Sequence, residues 1–249
     1  MEGGLKGKRV LITGASSGIG ASTARLLGAH AAVVGVHYNL NREGADAVRQ
    51  GIRDHGGEAE CFQADLIAHA QRGTLVAAFL ERFGGLDVLV NNAGGVAGEV
   101  EFLDLDEAIW DRTLALNAKA PFFIAREAFR FMLEHGGGKI INVSSIGVKY
   151  GGSTRSIHYA AAKAALEAMT IGMARAGARH RILVNAVRPG FIDTPFHEKT
   201  GRRDIVERIR MIPLGRAGEP VDVARVIVFL ASDAGDYITG EILAVAGGD

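Results

Sequence analysis

Tyr159 and Lys163 stand four residues apart in "HYAAAK", with only alanine between them. On a helix, residues at i and i+4 share a face, so this spacing projects a phenol and an ammonium side by side, and the alanines leave that face uncrowded. A phenol with an ordinary pKa of about 10 exchanges protons poorly at neutral pH. A neighbouring cation stabilises the phenolate and makes the group a usable acid and base. A YxxxK pair standing alone is more often a half-buried tyrosine beside a solvated lysine on a surface helix. Its chemistry therefore depends on what else the chain brings to it.

A second constellation is "VLITGASSGIG" (10–20), an apolar run followed by Gly14, Gly18 and Gly20 and then by the helical stretch "ASTARLLGAH". Without Cβ atoms, Gly14 and Gly18 let the backbone turn tightly and approach a pyrophosphate, while Gly20 permits close helix packing. The helix N-terminus faces the negative charge. Glycine-rich turns also serve purely structural ends, but the order strand, glycine turn, helix points to a dinucleotide cradled by Gly14, Ser16, Ser17, Gly18, Ile19 and Gly20. The spacing is GxxxGxG rather than the commoner GxGxxG.

Both constellations need a scaffold, and the chain alternates short apolar runs with alanine-rich stretches of helical spacing. Strands are expected at 9–13, 31–37, 58–64, 86–91, 139–144, 181–187 and 241–246. Most of these runs are apolar throughout rather than alternating, as in a parallel sheet covered on both faces. The fold class expected is α/β, one doubly wound domain over 1–249 with helices on both faces of about seven strands. The stretch 191–213, between glycine and proline marks, is expected to form a flap over a site.

Composition narrows the function. The 28 Lys and Arg balance 28 Asp and Glu, so no net field draws the protein to nucleic acid or an anionic membrane. Cys61 is the single cysteine, and the eight histidines show no metal-ligand spacing, so no metal site is expected. There is no cationic leader and no apolar run of ~20 residues, which places the expected location in the cytoplasm.

Seven segments then line up: "TGASSGIG" (13–20), "NNAG" (91–94), Asn117 in "LNAKAPF", "NVSS" (142–145), "YAAAK" (159–163), "VNAVRPGFIDT" (184–194) and "YITGEILAVAGG" (237–248). In this order and spacing the chain resembles the single-domain short-chain dehydrogenase/reductases. The resemblance implies a Rossmann-type sheet and hydride exchange between a nicotinamide dinucleotide and a carbonyl or secondary alcohol. It implies Tyr159 as acid and base, with Lys163 and the charge of the oxidised nicotinamide lowering the phenol and Lys163 also holding the ribose. Side chains alternate along a strand, so only one of Ser144 and Ser145 can face the cleft. The family pattern selects Ser145 to polarise the substrate oxygen. Asn117 is implied to kink its helix and hold a water that relays protons to Lys163. The gap from Ser145 to Tyr159 is one residue longer than is commonest in the family, an insertion beside the substrate.

The resemblance also assigns cofactor contacts. Asn91, Ala93 and Gly94 correspond to the segment packed on the adenosine and ribose side, and Pro189, Gly190, Ile192 and Thr194 belong to the turn after the sixth strand. Asp65 and Leu66 correspond to the adenine pair, though Asp65 could equally cap the following helix. Tyr38 stands where the family usually carries the aspartate that selects NAD, and Asn39, Asn41 and Arg42 follow it as receivers for a 2'-phosphate. NADP(H) is favoured and NAD(H) remains open, because Ser17 occupies a loop position that is often basic.

The expected partner is a small carbonyl or alcohol substrate, with 3-oxoacyl thioesters, carrier- or CoA-linked, and sugar-like polyols as the options. Arg130 and Arg175 match positions that meet the acidic carrier in 3-oxoacyl-[acyl carrier protein] reductases. Arg155 and His158 are expected to be solvent contacts of the loop. In the flap, Lys199, Arg202, Arg203, Arg208 and Arg210 interleave with Glu198, Asp204 and Glu207, as on a solvated amphipathic helix. A catalytically idle dinucleotide-binding sensor is the alternative of a different class. In "VDVARVIVFLAS" (221–232), Val226, Ile227, Phe229 and Leu230 present more apolar surface than one helix face normally buries, so a homo-oligomer, dimer or tetramer, is expected.

Overall fold

Apolar runs become strands here because both sides of the sheet are covered. The computed structural model describes residues 4–196 and 205–249. Its strands are β1 (Arg9–Ile12), β2 (Val33–Tyr38), β3 (Glu58–Gln63), β4 (Val88–Asn91), β5 (Gly138–Val143), β6 (Ile182–Pro189) and β7 (Ile242–Val245). They form one parallel sheet in the order β3-β2-β1-β4-β5-β6-β7. The helices are α1 (Gly18–Ala29), α2 (Arg42–Asp54), α3 (His69–Phe83), α4 (Glu107–Leu114), α5 (Ala120–Glu134), α6 (Gly147–Tyr150), α7 (Ile157–Gly177), α8 (Ile205–Arg210) and α9 (Pro220–Ala231), with a π turn at Ala115–Lys119.

Side-chain alternation splits the core in two. Val10, Ile12, Val34 and Val36 face Leu27 of α1, Ile52 of α2 and Ile227 of α9. Leu11, Leu89 and Ile140 face Phe79 of α3 and Ile124 and Met132 of α5. Gly35 makes room for that second layer, since a Cβ there would lie 2.5 Å from the Phe79 ring.

The expected strand at 31–37 begins two residues late. Ala31 takes φ 58° and the Ala32 amide returns to Leu27 O at 3.1 Å, so both residues close α1. The expectation for α9 is corrected further. Ile227 and Leu230 are buried in the chain's own core, packed with α1, while Val226 and Phe229 are only half-buried.

The order reverses between β1 and β4, and in open parallel sheets a ligand binds outside the strands' carboxyl ends at such a switch point. The glycine turn, the β4 exit and the Ser144–Ser145 pair all leave the sheet at that edge. The start of the 191–213 stretch lies beside it, with Ile192 bridging Gly218 and the Asp193 amide donating to Gly218 O at 2.8 Å. Glu198, Lys199, Arg202, Arg203 and Asp204 lie outside the described residues. No helix among the described residues is long and apolar enough to cross a membrane.

Candidate active site

The glycine turn is built around gaps that a Cβ would fill. A Cβ on Gly14 (φ 63°) would lie 2.9 Å from Ala93 Cα, and one on Gly18 (φ 54°) 3.3 Å from Thr194 Cγ2. A Cβ on Gly20 would approach Gly14 O to 2.4 Å. Ser17 begins α1 in extended conformation, its side chain makes no cap, and the first turn carries no acid. An uncapped helix N-terminus behind a glycine cradle fits a pyrophosphate. Ser16 and Ser17 line the turn, while Ile19 leans on the core.

Polar side chains outside the motif fasten this loop. Thr13 Oγ1 accepts the Asn92 and Ala93 amides, and Asn92 Nδ2 donates to Thr13 O and Gly14 O, all at 3.0 Å. His37 accepts the Gly14 amide on Nδ1 at 3.0 Å, and its Nε2 meets Ala64 O at 3.1 Å. Burial pushes the His37 imidazole down to about 4, so the ring is neutral. Asn41 caps α2 through Gly44 N at 3.1 Å and donates to Ser16 O at 3.3 Å. That use commits the Asn41 side chain, which had been a candidate for a 2'-phosphate.

On the adenosine side several expectations change. Asn91 points inward, donating to Pro121 O at 3.2 Å and Asn142 Oδ1 at 3.0 Å, so the asparagine that meets the cradle is Asn92. Strand alternation is the cause, since the two neighbours face opposite ways. Leu66 sends its side chain into the core and its carbonyl to Arg72 Nη1 at 3.0 Å. Asp65 does not cap α3; its Oδ1 accepts the Ile67 amide at 3.0 Å, a turn two residues on. Tyr38 ends β2 half-buried, and Asn39 and Arg42 are exposed beyond it, Arg42 at 3.5 Å from Asp46. Gly94 passes where a Cβ would lie 2.8 Å from Asn117 Oδ1 and 2.9 Å from Lys163 Nζ.

Ser145, Tyr159 and Lys163 converge at the carboxyl end of β5. Ser145 Oγ accepts the Gly147 amide at 3.1 Å, and its hydroxyl works to lower the pKa of the Tyr159 phenol. Ser144 is turned away and buried, donating to Glu167 Oε1 at 2.6 Å, and Arg188 clasps the same carboxylate at 2.6 and 2.9 Å. β5, α7 and β6 are thereby joined just behind the reacting groups.

Burial governs the electrostatics that the protein's own groups impose on the pair. Desolvation pushes Tyr159 up to about 12, with only the Ser145 hydrogen bond opposing it. Burial lowers Lys163 to about 8, and its Nζ donates to Val143 O at 2.8 Å, 5.7 Å from the Tyr159 ring centre. The ammonium faces a carbonyl rather than the phenol oxygen, so burial outweighs it.

Asn117 sits fully buried in the π turn. Both hydrogens of its amide are committed, to Gly95 O at 2.7 Å and Thr113 O at 2.8 Å, and its Oδ1 accepts the Gly95 amide at 3.0 Å. The side chain fixes the kink.

Above these groups opens a cavity of about 1200 Å³, with Val96, Ile146, Tyr150, Phe191, Phe196 and Met211 in its walls. Phe196 lies 6.1 Å from the Tyr159 ring, centre to centre. Pro189 ends β6 and Gly190, Ile192 and Thr194 follow it along the cavity's edge; Gly190 lines the cavity, Ile192 is buried, and Thr194 abuts Gly18. The longer gap from Ser145 to Tyr159 is absorbed by α6 and a turn at Gly151 (φ 74°) and Gly152 (φ 82°).

Arg155 and His158 are not simple solvent contacts. His158 is buried with Nε2 3.1 Å from Gly98 O, and Arg155 donates to Glu99 O at 3.1 Å, so both tie the loop to the opposite wall. Arg130 is paired with Glu127 at 3.0 Å, Arg175 is exposed, and Arg208 pairs with Asp249 at the cavity.

A reading from motifs passed over Thr13, His37, Asn92 and Glu167. A usable signal was present for three of them: a polar residue in or ending an apolar strand is buried and must find a partner.

A family model described as Enoyl-(Acyl carrier protein) reductase matches residues 14–249. Over 244 residues the chain is 36% identical to the 3-oxoacyl-[acyl-carrier-protein] reductase FabG of Thermotoga maritima, covering 98% of both. The crystal structure of levodione reductase superposes with a TM-score of 0.93 at 31% identity, over 98% of this chain and 97% of that one. An angucycline C-6 ketoreductase with bound NADP superposes with a TM-score of 0.89 at 36% identity, over 99% and 96%.

Proposed function

The chain belongs to the short-chain dehydrogenase/reductase family, as an oxidoreductase of carbonyls and alcohols, and from that premise we propose that it is an NADPH-linked reductase of ketones with a sizeable apolar body, 3-oxoacyl thioesters among them. The observation that carries this reading is that Ser145 and Tyr159 line one 1200 Å³ cavity whose wall sets Val96, Ile146, Phe191, Phe196 and Met211 beside the charged Glu99, Arg155, Glu207, Arg208 and Asp249.

A bound nicotinamide dinucleotide supplies the hydride that reaches the carbonyl carbon. Tyr159, protonated throughout the neutral range, gives its proton to the carbonyl oxygen as charge builds there, and C=O becomes CH–OH. Ser145 donates a hydrogen bond to the same oxygen and steadies that charge. Lys163 remains largely cationic at neutral pH, beside the position where a ribose would lie next to Gly94. Asn117 holds the π turn that keeps the Gly94–Gly95 backbone against Lys163.

NADP is supported by the absence of an acid at Tyr38, by the exposed Arg42 beyond it, and by the NADP held in the angucycline ketoreductase. The ring ketones and 3-oxoacyl groups in the relatives' names suit an apolar wall of Phe191, Phe196 and Met211. The same reading includes a cytoplasmic enzyme assembled as a dimer or tetramer.

The test is dinucleotide consumption against acetoacetyl-CoA, a substituted cyclohexanone and, with NADP as oxidant, a panel of aldoses. Turnover of either ketone with NADPH supports the proposal. Turnover of aldoses alone would replace it with a sugar dehydrogenase, and tight dinucleotide binding with no turnover of anything would leave the idle sensor.

A further inference from the structure

Two successive amides at the start of the glycine turn end on one residue. The Gly14 N–H meets His37 Nδ1 at 3.0 Å and the Ala15 N–H meets His37 O at 2.8 Å. The other ring nitrogen reaches Ala64 O at 3.1 Å, immediately before Asp65 and Leu66. The buried imidazole thus links the glycine turn to the exit of β3. It is 2% exposed, so no water can stand in for either contact.

We propose that His37 is a positioning residue for the dinucleotide: its Nδ1 lone pair sets the Gly14 amide, and through it the curvature of the glycine turn. The chemistry is specific to one tautomer. Gly14 N–H can only donate, so Nδ1 must be bare, and Nε2 carries the single proton toward Ala64. With the first two amides of the turn drawn toward β2, those from Ser17 into the first turn of α1 are left to meet the phosphates. Ala93 stands close on the far side of the turn, where a Cβ on Gly14 would lie 2.9 Å from its Cα. An apolar residue at 37 would leave the Gly14 donor buried and unpaired, and the turn would move to satisfy it.

This inference rests on the glycine cradle holding a dinucleotide, and three variants separate the two. In His37→Asn the Oδ1 falls near the Nδ1 position and can accept from Gly14, while Ala64 loses its donor. In His37→Gln the amide falls near Nε2 and can serve Ala64, while Gly14 loses its acceptor. His37→Leu loses both. Dissociation constants for NADPH, read from nicotinamide fluorescence on binding, and melting temperatures without ligand are to be measured side by side.

The expected result is NADPH affinity within about threefold of wild type for His37→Asn and weakened about tenfold for His37→Gln, with both variants melting lower than wild type. His37→Leu, if it folds, matches or exceeds the loss in His37→Gln; if it does not, the Asn and Gln pair decides. Equal affinities in that pair, or tighter binding by His37→Gln, would overturn the proposal. Failure of the wild type to bind either NADPH or NADH would overturn the cradle reading itself.

Discussion

Ser144 Oγ lies 2.6 Å from a carboxylate oxygen of Glu167, while its neighbour Ser145 faces the cavity that Tyr159 also lines. Adjacent strand residues have thereby taken opposite duties, one holding β5 to α7 and one facing the cavity. Ser145→Ala should lower turnover by about 10² with little change in melting temperature. Ser144→Ala should retain most of the activity and lose about 1–3 kcal/mol of stability, because the Glu167 oxygen it served stays buried. Steady-state kinetics and denaturant melts on both variants check this, and the reverse ranking would exchange the two roles.

Tyr159→Phe removes only the proton donor. Turnover should fall by about 10² or more while dinucleotide affinity stays within a small factor of wild type, since the ring remains in place against Phe196. Single-turnover rates with pre-bound NADPH are the direct measurement, and an unchanged rate would remove Tyr159 from the chemistry.

Much of the scaffold could be read from the residues, because strands buried on both faces are written as unbroken apolar runs and helices as alanine-rich stretches with their own period. The glycine turn and the Tyr159–Lys163 pair were visible for the same reason: each is a local pattern with one geometric meaning. What stayed hidden depends on contacts across the sheet. Asn91 and Asn92 are adjacent in the chain, and only the pleat at the end of β4 decides which one faces the cradle. The i,i+4 spacing brings Lys163 near Tyr159 but does not say that its ammonium turns to Val143 O. His158 and Gly98 are far apart in sequence and meet only once α7 has docked.

His37 should also leave a signature in stability against pH. Its folded-state value is depressed to about 4 from an ordinary 6.5, so the unfolded chain takes up a proton that the folded ring refuses. Its contribution is therefore complete above about pH 6.5, declines as pH falls, and is gone below about pH 4, a loss of about 3 kcal/mol across that window. Denaturant midpoints between pH 4 and 7 should show that slope in the wild type and a shallower one in His37→Asn. Parallel slopes would mean that other groups carry the acid sensitivity.

The dinucleotide preference is open to a single change at the end of β2. Tyr38→Asp places a carboxylate where the free hydroxyls of an NAD ribose could use it as an acceptor and where a 2'-phosphate would be repelled. The ratio of kcat/KM for NADPH over NADH should fall by at least about tenfold. A wild type that already prefers NADH by a wide margin would contradict the reading of Tyr38, Asn39 and Arg42.

Assembly is the remaining expectation, resting on the edge of the last strand and the helix before it, and the structure narrows which residues can serve. Ile227 and Leu230 are spent inside the chain's own core, which leaves the half-buried Val226 and Phe229 of α9 together with β7. β7 pairs only with β6 among the described strands, and Ile242, Leu243 and Val245 are each half-buried along it. An apolar edge strand with one unpaired side is ordinarily protected by charge, by proline or by another chain, and "ILAV" carries neither of the first two. A second copy packed on this edge and on Val226 and Phe229 would cover both, and a self-complementary contact of that kind has two-fold symmetry. Light scattering coupled to size exclusion should therefore give an even multiple of 26.3 kDa. Val226→Asp with Phe229→Asp should shift the mass toward the single chain, and a wild-type monomer at micromolar concentration would exclude the interface.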